Sequence, residues 1–410
     1  MKQLFLTKLA LKNLIRHRNR TLITACIIAA AVFLYLIFDS LIAGMTDMSY
    51  DTLIDYETGH LQIVHRDYWA EEEKLPLEDL LSLEELATLS QVDGEVARSP
   101  ELAFPARLSN GMNELPVVGK GIIPDEFLRI FPLEDKFVAG SMFALGEYKA
   151  VMGKRLADLL DLQVGDFITL LVRDKNETFN TIEAEIGGLI HTINANVNQN
   201  VVYVPLDIAG HALAVPEKVS KVIIKLEDKN GAPRIAREIE ARLPAKIGAY
   251  PWNELEAITF AGAKNAGIMV MTTILLVIAA IAIVNTVILA ALERMGEIGM
   301  MKAMGLQEKE LIYLFVTESV GIGILGGLAG VLLGLIGVAL LVRIGIDWSA
   351  QTGVDMSSFG IPVLGTMYGS WNPLAFLRIF CFSLIVSFFA SIPPAYWAAA
   401  KDPIEAIEYR

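Results

Sequence analysis

The residues with the most suggestive spacing lie in one short charged stretch, Ala291–Glu310, reading ALERMGEIGMMKAMGLQEKE. Arg294, Glu297 and Lys302 alternate in sign there, with Ile298, Met301, Ala303, Met304 and Gly305 between and after them. A short helix with Met295, Ile298, Met301 and Met304 on one face would dock into a partner's groove, and the three charges would fix its register. Gly305 suits the left-handed residue that ends such a helix. The chemistry expected here is recognition of a partner, not bond making.

Elsewhere no catalytic residue is expected. Gly119–Lys120 and Gly153–Lys154 lack both the upstream glycine and the following Ser or Thr of a phosphate loop, so ATP binding by that motif is not expected. His17, His60, His65, His191 and His211 make no i,i+4 pair, and His60 and His65 would fall on opposite faces of a strand, so no metal site is expected. No G-x-S-x-G elbow occurs. Glu71–Glu73 reads as solvated surface. Cys26 and Cys381 sit inside apolar runs and read as small packing residues.

The elements that must hold the charged stretch are membrane helices. Before it, Asn265–Leu292 runs for 28 residues without a charge. After it, a second run begins at Leu311. Thr21–Phe38 adds 18 uncharged residues and Ile379–Ala400 adds 22, each near the ~20 needed to cross a bilayer. Pro393–Pro394 is expected to kink or end the last span. Glu318 is an ionisable group within the third run, and it reads as interfacial and structural. Proton- or ion-driven transport is disfavoured, since that relay would need further charges at depth.

Charge divides the chain. Residues 39–264 hold 37 Asp and Glu against 21 Lys and Arg, an acidic surface that argues against nucleic acid. Residues 1–20 carry six Lys and Arg and no acid, which places the N-terminus in the cytoplasm by the positive-inside rule. The fold class expected is an α-helical membrane protein with four transmembrane helices and a large α+β extracytoplasmic domain between helices 1 and 2. The divisions are a basic amphipathic helix (1–20), a first span (21–45), the outer domain (46–264), a second span (265–292), a cytoplasmic coupling helix (293–310), a third span (311–342), a short outer loop (343–378) with Trp348 and Trp371, a fourth span (379–400) and a cytoplasmic tail (401–410).

Within the outer domain, residues 60–65, 114–121, 183–189, 201–204 and 221–226 read as strands. Residues 150–171 read as strand, helix, turn and strand. Residues 81–89, capped by Ser82, and 233–243, opened by Pro233, read as helices. In the third span, glycines such as Gly323, Gly326, Gly327, Gly330 and Gly334 let another helix approach closely, from the same subunit or from a second copy. Leu41, Ile42, Met45 and Met48 after the first span, with Ile268, Met269 and Met271 at the start of the second, are candidates to line an apolar lipid cleft.

The stretch ERMGEIGMMKAMGLQEKELIYLFVTES resembles the R-x-x-E-I-G-x-x-x-A-x-G signature of FtsX-like ABC transporter permeases, with Arg294, Glu297, Ile298, Gly299, Ala303, Gly305 and Glu318 on the pattern. LALKNLIRHRNRT resembles the family's basic N-terminal helix. AAAKDPIEAI, with Asp402, Pro403, Ala406 and Ile407, resembles its C-terminal ending. The resemblance implies a bacterial inner-membrane permease paired with a second copy or paralogue. It implies two cytoplasmic ABC ATPase subunits that bind ATP and Mg, with no cofactor in this chain. Such permeases transmit ATPase closure to their outer domains by mechanotransmission. The large outer domain without a fused ATPase, and GHLQIVH, look closest to LolC/LolE lipoprotein-release permeases. The topology is MacB-like. Lipoprotein cargo and a periplasmic carrier are then the expected partners. The alternatives are a regulatory permease acting on a cell-wall hydrolase and a MacB-type efflux permease.

Overall fold

The computed structural model describes residues 2–84, 92–293, 295–347 and 366–400. Arg294, Trp348, residues 85–91 and the tail with Asp402, Pro403, Ala406 and Ile407 lie outside the described residues, as do the side chains of Ile268, Met295 and Ile298. The described residues divide into two compact units, one built from those within 2–47, 264–347 and 366–400, the other from those within 48–263.

Four long apolar helices dominate the first unit, and each exceeds the run read from the sequence. The first is Arg18–Leu53, continued by a π-helical turn at Ile54–Thr58. At ~1.5 Å per residue its 36 residues span ~54 Å, well beyond a ~30 Å hydrocarbon core. The second, Glu256–Leu292, has 37 residues, as has the third, Glu308–Ile344. The fourth is Pro373–Ala400. Gln307 and Glu310 form a capping box at the start of the third helix, and Gly345 ends it at φ +68°. Pro393–Pro394 does not end the fourth helix, which continues to Ala400.

The glycines of the third helix face its own subunit. A Cβ on Gly330 would lie 2.6 Å from Val32 Cβ and 2.8 Å from the Ala29 carbonyl. One on Gly326 would lie 2.8 Å from the Ala25 carbonyl, and Gly334 abuts Leu36 in the same row. Gly323 and Gly327 turn to the fourth helix, against Ser387 and Ser383. The N-terminal helix, Lys2–Arg16, buries Leu6, Ala10 and Leu14 and leaves Leu4, Phe5, Leu11 and Ile15 exposed. Its Thr7 hydroxyl meets that of Tyr313 at 3.1 Å.

The second unit is a mixed α+β domain. Its strands are β1 (Leu61–His65), β2 (Leu81–Ser82), β3 (Glu95–Ser109), β4 (Glu114–Ile122), β5 (Phe137–Gly140), β6 (Lys149–Gly153), β7 (Phe167–Arg173), β8 (Phe179–Ile190), β9 (Val201–Pro205), β10 (Lys218–Val219), β11 (Lys221–Leu226) and β12 (Ile247–Pro251). Ten of them form one sheet in the order β12-β1-β11-β3-β4-β9-β6-β8-β5, with β7 joined to β3 and β8. β4–β9 and β6–β8 are its parallel pairs. One face carries Leu102, Phe104, Val202 and Val204, and the other carries Ile122, Tyr203 and Ile223 under Phe127 and Phe131.

β3 is the strand that the sequence conceals, because Pro100 and Pro105 argue against a central strand. The topology removes the objection. Pro105 falls where β3 changes partner, from β11 (up to Glu101) to β7 (from Ala106). Pro100 precedes the first residue paired to β4. The helix expected over residues 81–89 starts later: Leu83 and Glu84 are helical, Leu81 and Ser82 are not, and the rest of that stretch lies outside the described residues. Leu81 and Ser82 pair with Val219 and Lys218 as a two-stranded ribbon, because Leu81 is buried beside the main core. The Ser82 hydroxyl still accepts from the Glu84 amide at 3.3 Å.

Charges are buried between β3, β4 and β11. Glu101 accepts from Lys120 Nζ at 3.2 Å, and Lys221 Nζ lies 2.8 Å from Glu72 and 3.9 Å from the second Glu101 oxygen. Burial opposes the charge on Lys221, but Glu72, Glu101 and Tyr68 outweigh it and hold its pKa above the usual lysine value.

Candidate functional site

The charged stretch forms a short helix, Met295–Ala303. Its end is closed by a Schellman pair: the Leu306 amide donates to the Met301 carbonyl at 3.2 Å and the Gly305 amide to the Lys302 carbonyl at 3.0 Å. Gly305 takes the left-handed conformation this requires, at φ +95°.

The helix is clasped from both sides by its own unit. Glu297 lies 3.5 Å from His17 Nε2, just after the N-terminal helix. Lys302 Nζ donates to the carbonyl of Ala399 at 2.6 Å and to Glu308 at 3.2 Å. A lysine at the last turn of the fourth helix meets carbonyls that have no partner within that helix and complements its dipole. Met301 packs with Leu306 and Ile312 against Leu311, Phe315, Ala395, Ala398 and Ala399.

Of the docking face expected from the sequence, Met304 and Gly305 are exposed, and the side chains of Met295 and Ile298 lie outside the described residues. Met301 points inward, and Glu297 and Lys302 bond within the chain. The outward residues are Met300 at 53% exposure and Met304 at 74%, with Ala303 and Gly305 also exposed. His17 and Ala399 were not legible as partners, being ~100 or more positions away. Glu318 is buried within the chain, at 3% exposure, beside Arg20, Thr24 and Ser319.

The candidate lipid-facing residues separate into two sets. Leu41, Ile42, Met45 and Met48 are half-buried, whereas Met269 and Met271 are exposed. Further along the second helix, Leu276, Val277, Ala280 and Val284 line an open groove of 570 Å³ with Phe382 and Val386 of the fourth.

Two family descriptions match this architecture. Residues 21–242, more than half the chain, match the MacB-like periplasmic core domain, and residues 269–403 match the FtsX-like permease C-terminal region. The chain belongs to the FtsX/MacB-like permease superfamily. It is similar to the lipoprotein-releasing system transmembrane protein LolC of Xylella fastidiosa, at 23% identity over 78% of this chain and 80% of that protein. It is similar also to LolE of Haemophilus influenzae, at 25% identity over 75% and 76%. Among solved structures, the periplasmic region of MacB from Actinobacillus actinomycetemcomitans matches 50% of this chain and 93% of its own, at 11% identity and a TM-score of 0.38. The permease is thus a multi-pass membrane protein with a large extracytoplasmic domain, and its family works as the membrane subunit of ABC transporters with a cytoplasmic ATPase.

Proposed function

We propose that this permease couples ATP hydrolysis by a separate cytoplasmic ATPase to movement of its outer domain, and so extracts lipoproteins or a similar amphiphilic cargo from the inner membrane. The observation that carries the coupling is the clasped helix Met295–Ala303. It presents Met300 and Met304 outward while Met301 and Lys302 tie it to the third and fourth long helices. A push on the two methionines is therefore delivered to the spans. The first long helix runs unbroken from Arg18 to Leu53 and gives motion a stiff path into the outer chain. The names of LolC and LolE favour lipoprotein cargo. The acyl chains would lie against Met269, Met271 and the apolar groove on the second helix. The ATPase would bind ATP and Mg, this chain would work with a second copy or a paralogue, and both termini would be cytoplasmic.

The test is a release assay with permease and ATPase reconstituted in vesicles that hold a lipoprotein. ATP-dependent release is expected. Met304→Asp should lower release and ATPase co-purification at least tenfold while insertion stays intact. ATP turnover without release would remove the cargo, and normal coupling in Met304→Asp would remove the docking face.

A further inference from the structure

The last turn of the first long helix is held by the outer domain. Ile54–Thr58 is a π-helical turn, closed by the Gly59 amide donating to the Ile54 carbonyl at 3.0 Å. Single turns of this kind recur at functional sites. This one buries Ile54 and Tyr56 and directs Glu57 at the connection between β8 and β9. Tyr56 packs in one cluster with Phe127, Tyr203 and Val197, so the turn and the connection lie on the same face of the sheet.

That connection reads HTINANVNQN, residues 191–200, with an asparagine at every second position from Asn194. Asn194 Oδ1 caps the short helix Ala195–Asn200, accepting from the backbone amides of Asn196 and Val197 at 2.9 and 3.1 Å. Thr192 bonds to Asn198 and to the backbone of Asn194, which fixes the cap in place. The side chain of Asn194 is buried and its oxygen is committed, so its Nδ2 needs an acceptor from another element. Glu57 supplies it: Asn194 Nδ2 donates to Oε2 at 3.1 Å, and Asn196 Nδ2 donates to Oε1 at 2.9 Å. Both bonds are charge-assisted, which makes them roughly twice as strong as neutral ones.

The fork joins parts of the domain that the sheet keeps apart. The turn leads into β1, and β11, β3 and β4 stand between β1 and β9. Earlier on the same helix, Asp51 pairs with Lys229 and the Tyr50 ring meets that of Trp252, both on the β11–β12 side of the domain. Those contacts hold the helix end to the near strands. Glu57 holds it to the far ones.

We infer that Glu57 is a positioning residue. It latches the β8–β9 half of the outer domain to the end of the first long helix, so motion of that helix reaches the far strands directly and not only through the intervening sheet. This rests on the coupling proposed above, and is independent of what the cargo is.

The test is hydrogen exchange at residues 54–59 and 194–200 in the full-length permease, bound to its ATPase in detergent, with and without ATP. In the parent, ATP should change exchange in both segments. Glu57→Gln sets an amide against the Asn194 amide. Exchange at 194–200 should rise by about tenfold or more without nucleotide, since a charge-assisted bond is lost. The ATP response of 194–200 should vanish while that of 54–59 remains. The double variant Glu57→Gln/Asn194→Asp exchanges donor and acceptor: the new glutamine donates to the new aspartate and still accepts from Asn196, and the aspartate still caps the helix. Protection and ATP response should both return, a rescue that a folding defect would not allow. An ATP response that persists at 194–200 in Glu57→Gln, or a swap that restores nothing, would overturn the latch. No ATP response at either segment in the parent would remove the coupling and the latch with it. A parent that shows the expected exchange but releases no lipoprotein would remove the cargo alone.

Discussion

In the outer unit, Leu102, Phe104, Tyr203 and Ile223 are completely covered, and even Glu101 and Lys120 are taken out of water. In the membrane unit the second long helix leaves Met269, Val270, Ile274, Ile278, Ile281 and Leu289 more than half exposed, and only 17% of its apolar window is buried within the chain. The first pattern is that of a domain for which water is the solvent, so apolar side chains gain by leaving it. The second is that of a helix for which lipid or another protein chain is the solvent, where apolar exposure costs nothing. What holds the membrane helices together must then be shape. Glycine lets backbones touch on the third helix, whereas the outer unit relies on burial and on paired charge.

Four substitutions sharpen this contrast. The largest effect is expected of Gly330→Leu, which drives a side chain into Val32 and the Ala29 carbonyl. The bundle should fail to assemble, seen as loss of monodisperse protein in detergent. Gly267→Leu, on the second helix with no heavy atom within 4 Å of the added Cβ, should leave yield and melting unchanged. Equal tolerance at both positions would break the shape argument.

Next is Glu101→Gln, which leaves Lys120 and Lys221 without their shared buried carboxylate. Removing one partner of a buried ion pair costs about 3–5 kcal/mol, and denaturant unfolding of the outer domain should show a loss of that order. A change below about 1 kcal/mol would mean that water reaches the cluster.

The smallest effect is tied to pH. Burial works to raise the Glu95 carboxyl, but Arg98, at 2.5 and 2.7 Å, and the Val92 amide, at 3.0 Å, prevail and hold its pKa below the usual range. A depressed carboxylate stabilises the fold above its unfolded pKa, and that contribution is lost as pH falls through the folded one. Arg98→Gln should therefore destabilise by about 1–2 kcal/mol at neutral pH, and the gap to the parent should close below about pH 4. A gap that is constant with pH would show that Arg98 acts through packing alone.

The long helices were legible because a run such as Asn265–Leu292 has no other soluble explanation. The strand β11 and the helix after Pro233 were legible from local alternation and from a proline start. β3 was not, since the tolerance of Pro100 and Pro105 depends on which neighbour each residue meets, and that is a property of the whole sheet. The coupling stretch was legible as a helix with a glycine stop. Its inward and outward faces were not, because Met300 and Met301 are adjacent and alike, and only the packing of Ala395 and Ala398 distinguishes them.

The two prolines within the fourth helix set its stiffness. Pro393 and Pro394 have no amide hydrogen, so the carbonyls of Phe389 and Ala390 lose the helical donors they would otherwise use. A rod that lacks two consecutive rungs bends there under a smaller load than elsewhere along its length. The six residues beyond, ending in Ala400, include the three alanines that grip Met301 and the carbonyl that holds Lys302. The fourth helix is thus two rods joined by a compliant coupling. Its short end is tied to the charged helix through Met301 and Lys302, and a load on that helix would flex the joint before the long remainder.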